Sequence, residues 1–158
     1  MIENEGESLA VVLLSGIQYF TGQFFDIEKI TQAAHSVGAY AGWDLAHAIG
    51  NVELDLHKWQ VDFAAWCSYK YLNSGAGGIG GIFLHEKHFD LAKFKRLEGW
   101  WSHRFDTRFE MSNKMESAKG ALAYGLSNTS ILLTSCLKAS LDVIYSIQLI
   151  FYNRIIYN

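Results

Sequence analysis

The sequence predicts an α/β protein with a mostly parallel sheet and flanking helices. Two observations carry that prediction: apolar runs of strand length alternate with a segment of helical periodicity, and the runs stop at polar residues suited to chemistry. Leu9–Leu14 (LAVVLL) is unbroken and apolar, the pattern of a strand buried on both faces. Asp26 reads as a helix N-cap, Ile27, Ile30, Ala34 and Val37 follow at helical spacing, and Gly38 is placed to stop the helix. A second run, Tyr40–Trp43, ends at Asp44, and a third, Val61–Trp66, ends just before Ser68-Tyr69-Lys70. In such sheets chemistry gathers beyond the carboxyl ends of the strands, which is where Ser15, Asp44 and Lys70 fall. A fourth run, Ile82–Leu84, follows a glycine-rich stretch. Residues 99–109 read as a long loop, and a helix is predicted from Ser130 with Leu133, Leu137, Leu141 and Ile144 on one face.

Composition narrows the function. A chain of 158 residues fits one domain and buries about two-thirds of its unfolded surface. Half of its residues are hydrophobic and 18% charged, which is globular rather than disordered. With 13 basic against 16 acidic residues, a net charge of −3 and no basic cluster, nucleic acid is not an expected partner. Cys67 and Cys136 are too few and too far apart for a disulfide framework or a zinc site, so no metal is expected and a reduced, intracellular protein is the default. The acidic start, Met1-Ile-Glu-Asn-Glu-Gly-Glu, is unlike a secretory signal. Val143–Asn153 is too short and polar for a membrane span. Proline is absent, against an average of about 5%, and the first apolar run begins at Leu9; both fit a segment of something larger.

Three motifs fail on context. Gly75-Ala76-Gly77-Gly78-Ile79-Gly80 satisfies G-x-G-x-x-G, but a dinucleotide site needs a helix next and Gly81-Ile82-Phe83-Leu84 reads as a strand; a turn allowing close backbone approach is expected instead. His85-Glu86-Lys87-His88 lacks the second histidine of a metalloprotease helix, since Phe89 stands there, and reads as surface residues opening a short helix. Cys67 reads as a buried structural thiol.

The remaining constellation is Asp44-x-x-His47 with Ser68-Tyr69-Lys70. A strand-end lysine beside small residues suits imine chemistry, because burial and neighbours can free its amine to attack an aldehyde. A carboxylate at a nearby strand end could hold a pyridine nitrogen protonated. The competing reading makes Asp44 the cap of a helix opening at Leu45 and Lys70 a surface charge; spacing alone leaves both open.

The segments Leu14–Gln23 (LSGIQYFTGQ), Trp43–Leu54 (WDLAHAIGNVEL) and Trp66–Asn73 (WCSYKYLN) together resemble kynureninase, a family dependent on pyridoxal 5′-phosphate and related to the class-V aminotransferases. The likeness runs from about residue 6 to about 144. It implies part of the large cofactor-binding domain of a fold-type I (aspartate aminotransferase-like) enzyme over residues 1–144, and a divergent tail of unknown role over 145–158. It implies that Lys70 forms the imine with the cofactor, that Asp44 pairs with its ring nitrogen, and that His47 and Ser15 attend the same ring. It also implies that Tyr69 lies near the phosphate and donates a proton to the substrate carbonyl. Trp100 and Asn128 match positions that close over the phosphate, supplied in the family's homodimer by the neighbouring subunit. The implied reaction is hydrolysis of kynurenine or 3-hydroxykynurenine to the anthranilate and L-alanine, in tryptophan catabolism and NAD biosynthesis, in the cytoplasm. A desulfurase or aminotransferase of the same class fits the Trp100 and Asn128 segments less well. The departures are the missing stretch before Gly6, the missing small domain, Thr129-Ser130 where the family has prolines, and the unmatched end from Tyr145. They imply an alternative, a truncated product without catalysis that at most dimerises, and predict that the chain alone is inactive and marginally stable.

Overall fold

The computed structural model describes residues 1–90 and 95–156, and no side chain at residue 7 or over 148–156. A short 3-10 turn, Gly6–Ser8, leads into β1 (Val11–Ser15). Helix α1 (Ile27–Ser36) crosses to β2 (Tyr40–Asp44), and β3 (Phe63–Trp66) and β4 (Gly81–Leu84) follow. The sheet order is β1-β2-β3-β4, with β1, β2 and β3 parallel and β4 antiparallel to β3. Helix α2 (Ile131–Ile156) closes the described chain and crosses residue 144 without a break.

Local chemistry explains the crossover. Asp26 accepts the Lys29 amide at 3.1 Å and starts α1. Gly38, at φ +79°, ends the helix where a side chain would be strained. Helix α1 buries Ile27, Thr31 and Ala34. Beneath it, Trp43 is 1% exposed and donates its indole N–H to Thr31 Oγ1 at 3.1 Å. Leu45, Val61 and Ala64 complete this core.

The opposite face of the sheet is thinly covered. Among the described residues β1 is an edge strand paired with β2 alone, and it is not buried on both faces: Val11, Leu13 and Leu14 are exposed. Phe63 lies across Gly42, where a Cβ would collide with its ring. Val11, Tyr40, Phe63, Ile82 and Leu84 line an apolar cavity of about 340 Å³ there.

The glycine-rich stretch turns the chain back into strand β4, as its context requires. His85–His88 differs from expectation. It forms a 3-10 turn over Glu86–His88, but His85 is buried and His88 donates to buried Asp62 at 2.6 Å. Asp62 precedes β3, and its carboxylate draws in His88 and, at the end of α1, His35, while the His85 amide donates to the Asp62 carbonyl at 3.0 Å. The region around 99–109 is more ordered than a long loop. It holds 3-10 turns at Trp100–Ser102 and Arg108–Glu110, organised by Arg108, which is buried, stacks 4.2 Å over the Trp101 ring and donates to the carbonyls of Trp101 and His103. In α2, Leu133, Leu137 and Ile144 are half-buried while Leu141 is exposed. The tail residues Leu149, Ile150, Phe151, Ile155 and Ile156 lie outside the described side chains. Among the described residues, no helix is long and apolar enough to cross a membrane.

Candidate active site

The register puts the ends of three parallel strands level. Ser15 pairs with Asp44, and Asp44 with Ala65. Backbone bonds fix that edge: Gly16 N–H donates to the Asp44 carbonyl, and Leu45 N–H to that of Ala65, each at 2.8 Å. Beyond β2 the chain winds into a helical turn, with the amides of Ala48 and Ile49 both donating to the Leu45 carbonyl. Asp44 is exposed; its Oδ1 accepts the Ala46 amide at 2.8 Å, and its Oδ2 has no hydrogen-bond partner among the described residues. The capping reading of Asp44 is therefore correct for one oxygen and leaves the other available.

The turn presents His47, and the chain after β3 presents Lys70. They meet because the two segments pack closely at Gly50, whose φ of +75° and lack of a side chain admit Leu72 and the Tyr71 carbonyl. Lys70 Nζ lies 3.4 Å from His47 Nδ1, half-buried rather than a free surface charge. A buried bond of 2.7 Å between the Ser68 and Ser74 hydroxyls, with Ser74 N–H donating to the Ser68 carbonyl, closes the loop that carries Lys70. Asn73, at φ +54°, turns it.

Tyr69 is half-exposed beside Lys70. A hydrogen bond shared with Cys67 raises its hydroxyl above the usual tyrosine value. Cys67 is thus only half-buried and faces Tyr69, rather than being a sequestered thiol. The structure therefore groups Ser15, Asp44, His47, Tyr69 and Lys70 at one edge of the sheet.

Trp100 and Asn128 stand apart from that group. Trp100 donates its indole N–H to the Arg108 carbonyl at 3.3 Å, and Asn128 is exposed with its Oδ1 accepting from Ser127. Gly99 lies directly against the Leu126 carbonyl, so the two segments adjoin each other. No hydrogen bond or ring contact among the described residues joins Trp100 or Asn128 to Lys70, Asp44 or His47. Sequence reasoning missed Tyr19 and Tyr71, whose rings flank His47 at centroid distances of 6.3 and 6.2 Å. Their only signal was nearness to Ser15 and Lys70. It also missed Asp62, an acidic residue in an apolar run.

The profile described as "Aminotransferase class-V" matches residues 3–114. The chain is 56% identical over 143 residues to the kynureninase of Rattus norvegicus, covering 90% of this chain and 31% of that one. Against the kynureninases of Dictyostelium discoideum and Homo sapiens the identity is 54%, again over 90% of this chain and 32% and 30% of theirs. The chain thus spans about a third of the length of the curated relatives it matches. Among solved structures, the apo cysteine desulfurase of Thermococcus onnurineus NA1 superposes with a TM-score of 0.70 at 21% identity, over 92% of this chain and 35% of that one. The alanine–glyoxylate aminotransferase of a Nostoc species gives 0.63 at 20%, over 92% and 36%. At these identities the two structures speak for the fold.

Proposed function

The chain belongs to the class-V aminotransferase family, which depends on pyridoxal 5′-phosphate, and from that premise we propose that it forms the lysine-bearing core of a kynureninase. The reaction is addition of water to L-kynurenine or 3-hydroxykynurenine, releasing anthranilate or 3-hydroxyanthranilate and L-alanine. The observation that carries the reading is the approach of Lys70 Nζ to His47, three residues beyond strand-end Asp44, in a segment more than half identical to kynureninases.

The donor set fits the cofactor. Lys70 offers an amine for its aldehyde, Asp44 Oδ2 an acceptor for its protonated ring nitrogen, and His47 and Ser15 polar contacts at the ring. When bound, pyridoxal phosphate supplies the electron sink that cleavage beside a carbonyl requires. The Lys70 amine would carry protons to and from the substrate α-carbon, and His47 Nδ1, 3.4 Å away, is within reach to exchange a proton with it. Tyr69, whose hydroxyl is held protonated by its neighbour, is the acid that protonates the ketone oxygen as water adds. Asp44 Oδ2 would hold the ring nitrogen.

A homodimer belongs to the same proposal: the adjoining Trp100 and Asn128 segments would close over the cofactor's phosphate from a second subunit. Cys67 and Cys136, both free, fit the cytoplasm. The open face of the sheet favours a second reading for residues 1–158 by themselves, in which the chain is catalytically silent until the rest of a longer polypeptide covers β1.

The test uses the protein at the full length its gene encodes. Pyridoxal phosphate is added, the adduct is reduced with borohydride, the labelled peptide is mapped, and anthranilate fluorescence is followed on addition of kynurenine. Label on Lys70 and anthranilate release are expected. Label on Lys58, Lys87 or Lys93 (the last outside the described residues) with Lys70 unmodified would overturn the assignment. Residues 1–158 alone are expected to release none.

A further inference from the structure

The loop between β1 and α1 carries an aromatic side chain close to His47, the neighbour of Lys70, on a hydrogen-bonded backbone. Gln18 sits inside the loop, its Oε1 accepting the amides of Phe20 at 2.5 Å and Thr21 at 2.8 Å and the Thr21 hydroxyl at 3.4 Å. The Gln18 amide donates to the Gln23 carbonyl and the Gly22 amide to that of Gln18, each at 2.9 Å. Gly22, at φ +72°, permits the tight return, and an Ile17–Phe24 bridge closes the base. The Gly16 amide ties the whole to Asp44, and the Phe25 amide to Gly16. On this clamped frame Tyr19 is 75% exposed, with its ring 6.3 Å from His47 and tilted by 36°. His47 in turn lies 3.4 Å from the amine of Lys70.

A large ring held in water by a rigid loop forgoes the burial that would normally stabilise it. Its open face lies one histidine away from the reacting amine. We propose that Tyr19 is a specificity-determining residue, an aromatic wall against which the substrate's aryl group packs while its amino-acid end is held at Lys70. The inference rests on the reading of the site as one that cleaves an aryl ketone, and it names the element that selects the aryl part. A flat ring meeting Tyr19 offset or edge-on gains contacts that an alkyl chain of the same length does not. The His47 ring also meets that of Tyr71 edge-on at 6.2 Å.

The experiment compares Tyr19→Ala and Tyr19→Phe with the wild type, each at the full length its gene encodes and loaded with pyridoxal phosphate. Two quantities are read: KM and kcat for kynurenine, and the dissociation constants of anthranilate and of L-alanine by calorimetry. Tyr19→Ala is expected to raise KM and the anthranilate constant about 3- to 10-fold, the strength of one aromatic pair. kcat should stay within about 2-fold and the alanine constant should not move. Tyr19→Phe keeps the ring and should match the wild type, which also shows that the loop is intact. Unchanged KM and anthranilate binding in Tyr19→Ala would overturn the inference, as would equal losses in both variants or a matching loss for alanine. Wild-type protein that loads the cofactor yet releases no anthranilate would instead overturn the proposed function, with the anthranilate constants still reporting on the wall.

Discussion

At the N-terminal ends of β2 and β3 the carboxylate of Asp62 is 2% exposed and shared by four donors: the Ala41 amide and His35 at 2.7 Å, His88 at 2.6 Å and Lys87 at 2.8 Å. At the C-terminal ends, Asp44 is exposed, with one oxygen held by a single amide and the other without a partner among the described residues. Burial works against the charge on Asp62, yet the Ala41 amide, Lys87, His88 and His35 together hold it far below the usual carboxylate range. That carboxylate is saturated, so it can fasten elements but has no capacity left for a ligand. Asp44 is the reverse: it contributes little to holding the fold and keeps its capacity for something that arrives. One sheet thus carries a saturated carboxylate at one end and one with an oxygen to spare at the other.

The sharpest way to break this division is at the open end. Lys70→Arg keeps the charge, but a guanidinium stays protonated and cannot attack an aldehyde. In the full-length protein, turnover should fall by more than about 10³-fold, while Tm stays essentially unchanged because Lys70 holds no other element in place. A large drop in Tm would mean that the open end is structural too.

At the closed end the pattern should invert. Asp62→Ala removes the common partner of two histidines and a lysine and should cost about 3–5 kcal/mol, read from the denaturant midpoint. The sign with pH follows from the lowered carboxyl. Its contribution is complete above the unfolded value of about 3.9 and fades only as pH falls through the still lower folded value. The gap between wild type and variant should therefore persist at pH 7 and pH 5 and close only below pH 4. A gap already closing at pH 6 would show that the carboxylate is not held below its usual range.

A smaller effect tests the layer between the ends. Thr31→Val preserves shape but strands the buried Trp43 N–H. A loss of about 1–3 kcal/mol is expected, by thermal unfolding, with anthranilate release from the surviving folded protein unaffected. A loss of activity out of proportion to stability would show that α1 transmits strain to Asp44.

The difference between the ends also explains what was legible in the sequence. Strand-end polar residues are visible because they interrupt apolar runs, so Ser15, Asp44 and Lys70 stood out, and the order of strands and α1 followed from spacing. The Asp62 cluster gathers residues from α1, the start of β3 and the turn after β4, and only the folded register brings them together. For the same reason His85 and His88 read as surface residues, since a four-residue polar stretch carries no mark of the His57 ring or the Asp62 carboxylate that meet them in the fold. The exposure of β1 follows from the same pattern: an unbroken apolar run needs cover on both faces, and the described residues leave Val11, Leu13 and Leu14 exposed. Arg108, folded over Trp101, was hidden among aromatic residues without periodicity.

The smallest expected effect concerns His85, at the rim of the closed end. It is 4% exposed, and its ring stacks on His57 at 4.8 Å with an interplanar angle of 13°. Its Nδ1 accepts the Lys87 amide at 3.2 Å, so the ring hydrogen belongs on Nε2, which is buried with no partner among the described residues. Burial first, and the charge of Lys87 second, lower its basicity below the usual histidine value. The unfolded chain therefore takes up this proton near pH 6.5, whereas the folded one resists until lower pH. Stability is unaffected above that point and declines as pH falls below it, in the window between the unfolded and the lower folded value. His85→Phe keeps a flat ring against His57 and removes both the titration and the stranded N–H. At pH 7.5 the variant should lie within about 1 kcal/mol of the wild type. Melts at pH 7.5, 6.5 and 5.5 should then show the wild type losing Tm faster than the variant. Parallel profiles would mean that protonated His85 finds water without opening the fold, and that the closed end is less sealed than Asp62 suggests.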